Sequence, residues 1–170
     1  RGGFGFPPPN VVCVHTALGA CAGAPGYGRA AARVLRAAEK GRLGGDARPD
    51  RRLYRQVLAA MAGDGDVSGA AEMLRGMGGR RGEDKEAPPT KREVEPDAAC
   101  RDVVVAALCD RAGGPEEVRQ AFELCKHMTE KKGIPLGPKI LRLLATAVAR
   151  TGDERRALEV LRDMGGRKME

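Results

Sequence analysis

The sequence predicts an all-α protein, a row of about four helix-turn-helix units. Three observations carry that prediction. The stretch YRQVLAAMAGDGDVSGAAEMLRGM at 54–77 returns without a gap as LRLLATAVARTGDERRALEVLRDM at 141–164. The two share Arg55/Arg142, Ala60/Ala147, Ala62/Ala149, Gly65/Gly152, Asp66/Asp153, Ala70/Ala157, Glu72/Glu159, Leu74/Leu161, Arg75/Arg162 and Met77/Met164. A Gly-Asp pair held at one offset between two apolar-periodic runs marks an internal repeat, and repeats decide the fold before any single motif does. The second observation is spacing: Tyr54, Val57, Leu58 and Met61 recur with helical period. The third is composition. Aromatics are only 3% of the chain and tryptophan is absent, while alanine is abundant. Such a core suits closely packed helices better than a β-sandwich.

The elements follow in order. Residues 1–10, RGGFGFPPPN, cannot form a helix interior, because prolines fix φ and remove donors. VVCVHTALGACAGA, from Val11 to about Ala24, reads as a short Ala-rich helix that PGYG breaks. A helix resumes from Arg29 to Lys40 with Val34 and Leu35 on its apolar side, and 41–50 is a loop. Gly65 stops the helix that holds Tyr54 to Met61, and Asp66 is placed to cap the next. That helix aligns Val67, Ala70, Leu74 and Met77, which makes an αα-hairpin. GGRRGEDKEAPPTKREVE at 78–95 reads as an inserted flexible loop. Ala98 to Arg111 is the next helix. Another starts at Pro115, with proline at its first position and Glu116 and Glu117 at the positive end of its dipole, and runs to about Lys132. A last hairpin closes the chain, with Val160 and Leu161 expected in its inter-helix contacts.

A short boundary precedes each hairpin: PPN at 8–10, RPD at 48–50, EPD at 95–97 and PLG at 135–137. The units are 11–50, 51–97 with its inserted loop, 98–137, and 138–170; the first three measure 40, 47 and 40 residues. Residues 1–10 read as the end of a preceding repeat. The chain begins at Arg1 without a methionine, so a fragment or processed form is expected, with any targeting segment out of view and the fourth unit open to truncation. A lone hairpin buries little, and stacked neighbours must supply the core.

The net charge of +7 points to an acidic partner, of which nucleic acid is the commonest. Five cysteines, Cys13, Cys21, Cys100, Cys109 and Cys125, include no CxxC and form no paired framework; they read as small buried hydrophobes in a reducing compartment. No apolar run approaches the roughly 18 residues of a membrane span. No metal set is expected, since Cys125 and His127 lack a completing pair. GYGRAA at 26–31 matches a loose GxGxxA, but a dinucleotide site needs a strand before it, and no convincing strand is present. Asp64 with Asp66, and Glu116 with Glu117, sit where turns and helix starts explain them. No catalytic residues and no cofactor are expected.

Four features resemble the pentatricopeptide repeat family. NVVCVHTALGAC is similar to the opening of such a repeat. Pro49-Asp50 and Pro96-Asp97 resemble its closing. AAEMLRGM at 70–77, AFELCKHM at 121–128 and ALEVLRDM at 157–164 resemble its second helix, and GDV at 65–67 and GDE at 152–154 its inter-helix turn. The likeness runs from about residue 10 to 164. It implies a right-handed α-solenoid whose usual activity is binding single-stranded RNA in an organelle, mitochondrion or chloroplast, one base per repeat.

The resemblance further implies that a residue early in each first helix acts with the last residue of its repeat. The pairs are His15 with Asp50, Arg55 with Asp97, and Asp102 with Gly137, and Arg142 opens the fourth unit. Asp50 and Asp97 equally fit residues that end helices or make turns. The positions at which the family brackets a base with an apolar side chain are Val12, Arg52, Ala99 and Lys139, of which Val12 matches. Histidine, arginine and aspartate stand where the family places small amides and hydroxyls. Arg52, Arg55, Lys139 and Arg142 therefore favour phosphate contacts, which carry little sequence information. The expected function is an RNA-binding module of an organellar RNA-processing or gene-expression factor, with weak or non-standard sequence reading and protein partners in a ribonucleoprotein. The alternative is a protein-interaction scaffold, or a structural subunit of a large assembly such as an organellar ribosome.

Overall fold

The computed structural model describes residues 9–43, 48–78, 94–110 and 114–153, together with 155, 156, 158 and 162. Among them are seven helices and no strand: α1 Val11–Gly23, α2 Gly28–Glu39, α3 Arg51–Gly63, α4 Val67–Gly76, α5 Ala98–Asp110, α6 Pro115–Lys132 and α7 Pro138–Thr151. The all-α class expected from the sequence is found. Most of the loop expected at 78–95 lies outside the described residues. So does most of the last helix, with Val160, Leu161 and Met164.

The boundary triplets turn out to be helix-starting devices. Asn10 accepts the Cys13 N–H at 3.0 Å, Asp50 the Leu53 N–H at 2.8 Å, and Asp97 the Cys100 N–H at 2.8 Å. In each case a side-chain oxygen satisfies one of the orphan donors of a first helical turn. Gly137 takes the same position before α7, followed by Pro138. The sequence assigns Asp50 and Asp97 to the close of one repeat, and the structure uses them to open the next helix.

The helices divide into two packed units, α1 to α3 in the first and α4 to α7 in the second. In the first, α1 and α3 lie side by side and α2 packs on both. Val14, Leu18, Leu35, Leu53, Val57 and Leu58 form its core. Gly28 is buried where α2 meets α3: a Cβ there would stand 2.9 Å from Met61 Cα and 3.0 Å from the Ala60 carbonyl oxygen. Tyr54 ties α3 to α2 by donating its hydroxyl to Glu39 Oε1 at 2.5 Å. Burial first, then the Glu39 carboxylate, raises the Tyr54 pKa well above its ordinary value.

In the second unit, α4 packs on α5 and α6, α5 on α6 and α7, and α6 on α7. Leu74, Val104, Leu108, Leu124, Met128, Ile140 and Leu144 fill the core. Cys100, Cys109 and Cys125 are buried with them, as small hydrophobes should be, but Cys13 is exposed and Cys21 half-buried. The difference is one of position: α1 is apolar nearly all round, yet only Val14 and Leu18 are covered.

The sequence repeat is visible as a repeat of environment. Leu53 and Ile140, Val57 and Leu144, Ala60 and Ala147, and Met61 and Val148 occupy matching positions of α3 and α7, and all are buried. Arg52 and Lys139, and Arg55 and Arg142, match as well, and all four are exposed. The glycines that end the two helices both have positive φ, +90° at Gly65 and +69° at Gly152.

Candidate nucleic-acid interface

Each unit presents one pair of cations on a first helix. Arg52 and Arg55 are three residues apart on α3, and Lys139 and Arg142 three apart on α7, a spacing that puts each pair on one strip of its helix. All four side chains are exposed, and none has a hydrogen-bond or ion-pair partner among the described residues. Other cations are already engaged. Arg119 binds Glu116 and Glu123, Lys132 donates to the Met77 carbonyl, and Arg150 donates to the Cys109 carbonyl at the end of α5.

His15 and Asp50 are brought together. The His15 Nε2 lies 3.2 Å from Asp50 Oδ2, while its Nδ1 lies 3.2 Å from Gln56 Oε1. The Gln56 amide nitrogen donates back to the His15 carbonyl at 3.3 Å, which fixes the amide orientation. Both ring nitrogens thus face oxygen acceptors, and a neutral ring can donate to only one of them. His15 joins α1 to the start of α3 and has no free nitrogen to offer a base edge.

Asp102 is held differently. Its neighbour Arg101 is 1% exposed and donates from Nε and Nη2 to Asp102 Oδ1, at 3.0 and 2.7 Å. Arg101 Nη1 donates to the carbonyls of Pro135, at 2.7 Å, and Ile134, at 3.4 Å. One guanidinium therefore connects Asp102 with the segment that leads into Gly137, the residue paired with it from the sequence. Asp97 is half-buried at the α5 cap, and Val12 is 64% exposed on α1.

Sequence reasoning missed Arg101, although a signal was present. Arg101, Val104, Val105 and Leu108 recur at i, i+3, i+4 and i+7, so Arg101 stands in the buried register. It also missed Asp64, whose carboxylate accepts the backbone N–H groups of Gly26 and Gly28 at the start of α2. The GYG motif is thereby explained by a turn and a close helix contact. His127 was set aside, and its Nε2 is buried without a partner among the described residues. Burial first, then Lys132, Arg75 and Lys131, lowers its pKa and favours the neutral ring.

Among the described residues no group of three or more His, Cys, Asp or Glu could hold a metal ion. None of the described helices is long and apolar enough to cross a membrane. No protein-family model matches the chain, and no curated protein matches it.

Proposed function

We propose that the chain is an RNA-binding helical-repeat module without catalytic activity of its own. Its hairpins would stack as a right-handed α-solenoid of about four pentatricopeptide-like repeats, acting in organellar RNA processing or gene expression. The observation that carries this reading is the set Arg52, Arg55, Lys139 and Arg142: exposed, without a partner among the described residues, and at matching positions of α3 and α7. Unpaired cations at repeated intervals suit a phosphate backbone, and the net charge of +7 favours its approach. Asp50, Asp97 and His15 are engaged in caps and a side-chain bridge, which leaves little standard base reading.

The test is fluorescence anisotropy of a labelled single-stranded RNA across a salt series. Replacing the four cations together by Gln should lower the log–log salt slope by roughly 2.8, at about 0.7 per phosphate contact. The affinity lost between about 50 and 200 mM salt then changes roughly fiftyfold. Helical circular dichroism should persist, because Gln is a good helix former. Binding of one RNA far more tightly than its scrambled versions would overturn the weak-specificity part of the reading.

One observation favours a second reading, a protein-interaction scaffold or structural subunit. Helix α1 carries no Asp, Glu, Lys or Arg, and Val12, Cys13 and Ala17 are exposed on it. Failure to bind RNA at low salt, with a protein partner retained in pull-down, would decide for the scaffold.

A further inference from the structure

We propose that α2 carries a second contact surface for single-stranded RNA, a strip of cations with one aromatic side chain at its start. This inference rests on the RNA-binding reading. Arg119, Lys132 and Arg150 are held by carboxylates or carbonyls, but α2 bears a row of cations that is not. Arg29, Arg33, Arg36 and Lys40, the last at the C-cap, are exposed and have no side-chain partner among the described residues. Their spacing places them within about 60° of one another around the helix, over a rise of about 16 Å. Arg29 with Arg33 and Arg36 with Lys40 are like charges at i and i+4, a pairing that destabilises a helix. Helix α6 shows the ordinary remedy, since Arg119 lies between Glu116 and Glu123. On α2 that remedy is missing: Glu39, the one carboxylate in its sequence, accepts the Tyr54 hydroxyl of α3. The strip is also separate from Arg52 and Arg55. Met61 meets α2 at Gly28, and Arg52 stands two and a half turns before Met61, on the far side of α3 from α2.

The chemistry of the strip selects its occupant. Among the described residues of α2 no large apolar side chain is exposed, and a protein interface needs apolar or aromatic anchors at its centre. A helix lying in a membrane surface inserts its apolar face, but Ala31, Ala32, Leu35 and Ala38 are already buried within the unit. A phosphate backbone asks only for charge, and three of the four cations are arginines, whose planar fork matches phosphate oxygens. Tyr27, the residue before α2, is 53% exposed. Its backbone is pinned on both sides, because Asp64 accepts the N–H groups of Gly26 and Gly28. A tyrosine kept out of the core on a fixed mount offers a face on which an unpaired base stacks.

The experiment is fluorescence anisotropy of a labelled single-stranded RNA of mixed sequence, bound by the full chain across a salt series. Arg33→Gln with Arg36→Gln should lower the log–log salt slope by roughly 1.4, at about 0.7 per phosphate contact. The affinity lost between about 50 and 200 mM salt then changes about sevenfold. Arg119→Gln with Lys126→Gln removes the same charge from cations that carboxylates already hold, and should leave the slope unchanged. Tyr27→Ala should weaken binding about fivefold or more at every salt concentration and leave the slope alone, as loss of one stacked base does. An α2 variant with the wild-type slope, or an equal fall in the Arg119 and Lys126 variant, overturns the α2 surface while the reading built on Arg52, Arg55, Lys139 and Arg142 stands. Unchanged affinity in Tyr27→Ala overturns the stacking role. An α2 variant that keeps the RNA slope but loses retention on immobilised polyglutamate, or on anionic vesicles, gives the strip to a protein or a lipid surface and overturns the proposal. Absence of wild-type binding to RNA at low salt overturns the RNA reading beneath it.

Discussion

Asp64, in the turn after α3, accepts the backbone N–H of Gly28 at the start of α2, across 36 positions of sequence. Its other oxygen accepts the N–H of Gly26. The carboxylate thus caps a helix of a neighbouring hairpin, where Tyr27 supplies no side-chain cap. Such a cap works only if α2 comes down onto the α3 backbone, and Gly28 is what permits that approach. Gly28→Ala should destabilise the protein by about 1–3 kcal/mol, through overpacking against Met61 Cα. Asp64→Ala should lose about 0.5–2 kcal/mol, as a missing cap does. Because both changes open the same contact, the double variant should lose less than their sum. Urea denaturation of the four proteins measures the cycle, and a neutral Gly28→Ala would mean that the two helices do not meet so closely.

Gly65 and Gly152 give the sequence repeat its most direct physical test. Both end a first helix with positive φ, which L side chains rarely adopt. After the second of these, Asp153 accepts the Arg156 N–H at 3.1 Å and starts the next turn of helix. Alanine at either glycine should cost about 1–2 kcal/mol, the left-handed penalty for one residue. The expected result is two similar losses in denaturant midpoint. A loss at one position and none at the other would show that the aligned turns are not equivalent.

The sequence was most legible where the decisive chemistry is local. Pro115, Glu116 and Glu117 start α6, Lys132 ends it, and the expected bounds agree with the structure because caps and dipole charges act within a turn. Val67, Ala70, Leu74 and Met77 were readable as core from spacing alone. The candidate site was read less well, because its residues serve long-range partners. His15 is occupied by Gln56, which lies 41 positions away, and Arg101 by carbonyls 33 and 34 positions away. Arginine is read by composition as a surface residue, and the one contrary signal, its register on α5, was missed. The aspartates of the Pro-Asp boundaries read as closing a repeat, but their bonds run forward into the next helix.

The cysteines should differ sharply in reactivity. Cys13 is exposed and should react first with a disulfide reagent in the native protein, with half-buried Cys21 following. Cys100, Cys109 and Cys125 should react only on unfolding. Burial pushes the Cys125 thiol up from an ordinary 9.0 to about 12, against a smaller pull from Arg101. Below about pH 9 the thiol is protonated in both folded and unfolded chains and contributes no slope. Between about 9 and 12 the unfolded chain ionises and the folded one does not, so stability falls as pH rises, by about 1.4 kcal/mol per pH unit. Cys125→Ala should lower the baseline through a small cavity and remove that part of the alkaline slope. An unchanged slope in denaturation measured from about pH 8.5 to 11 would mean that Cys125 is not closed off from solvent.

The two cation pairs should act separately. Arg52 and Arg55 belong to α3 of the first unit, and Lys139 and Arg142 to α7 of the second. If each side chain meets one phosphate, changing either pair to Gln should lower the salt slope by roughly 1.4, half the effect of changing all four. The changes should leave thermal stability within about 0.5 kcal/mol, because exposed side chains with no partner among the described residues contribute little to folding. Arg119→Gln serves as the control. It removes a cation that already binds Glu116 and Glu123, so it should leave the salt slope unchanged. Equal slope changes for the two pairs, with none for the control, would assign phosphate contacts to both units. A slope that responds to one pair only would confine RNA binding to that unit, and a slope that responds as strongly to Arg119→Gln would show attraction to net charge rather than to these four positions.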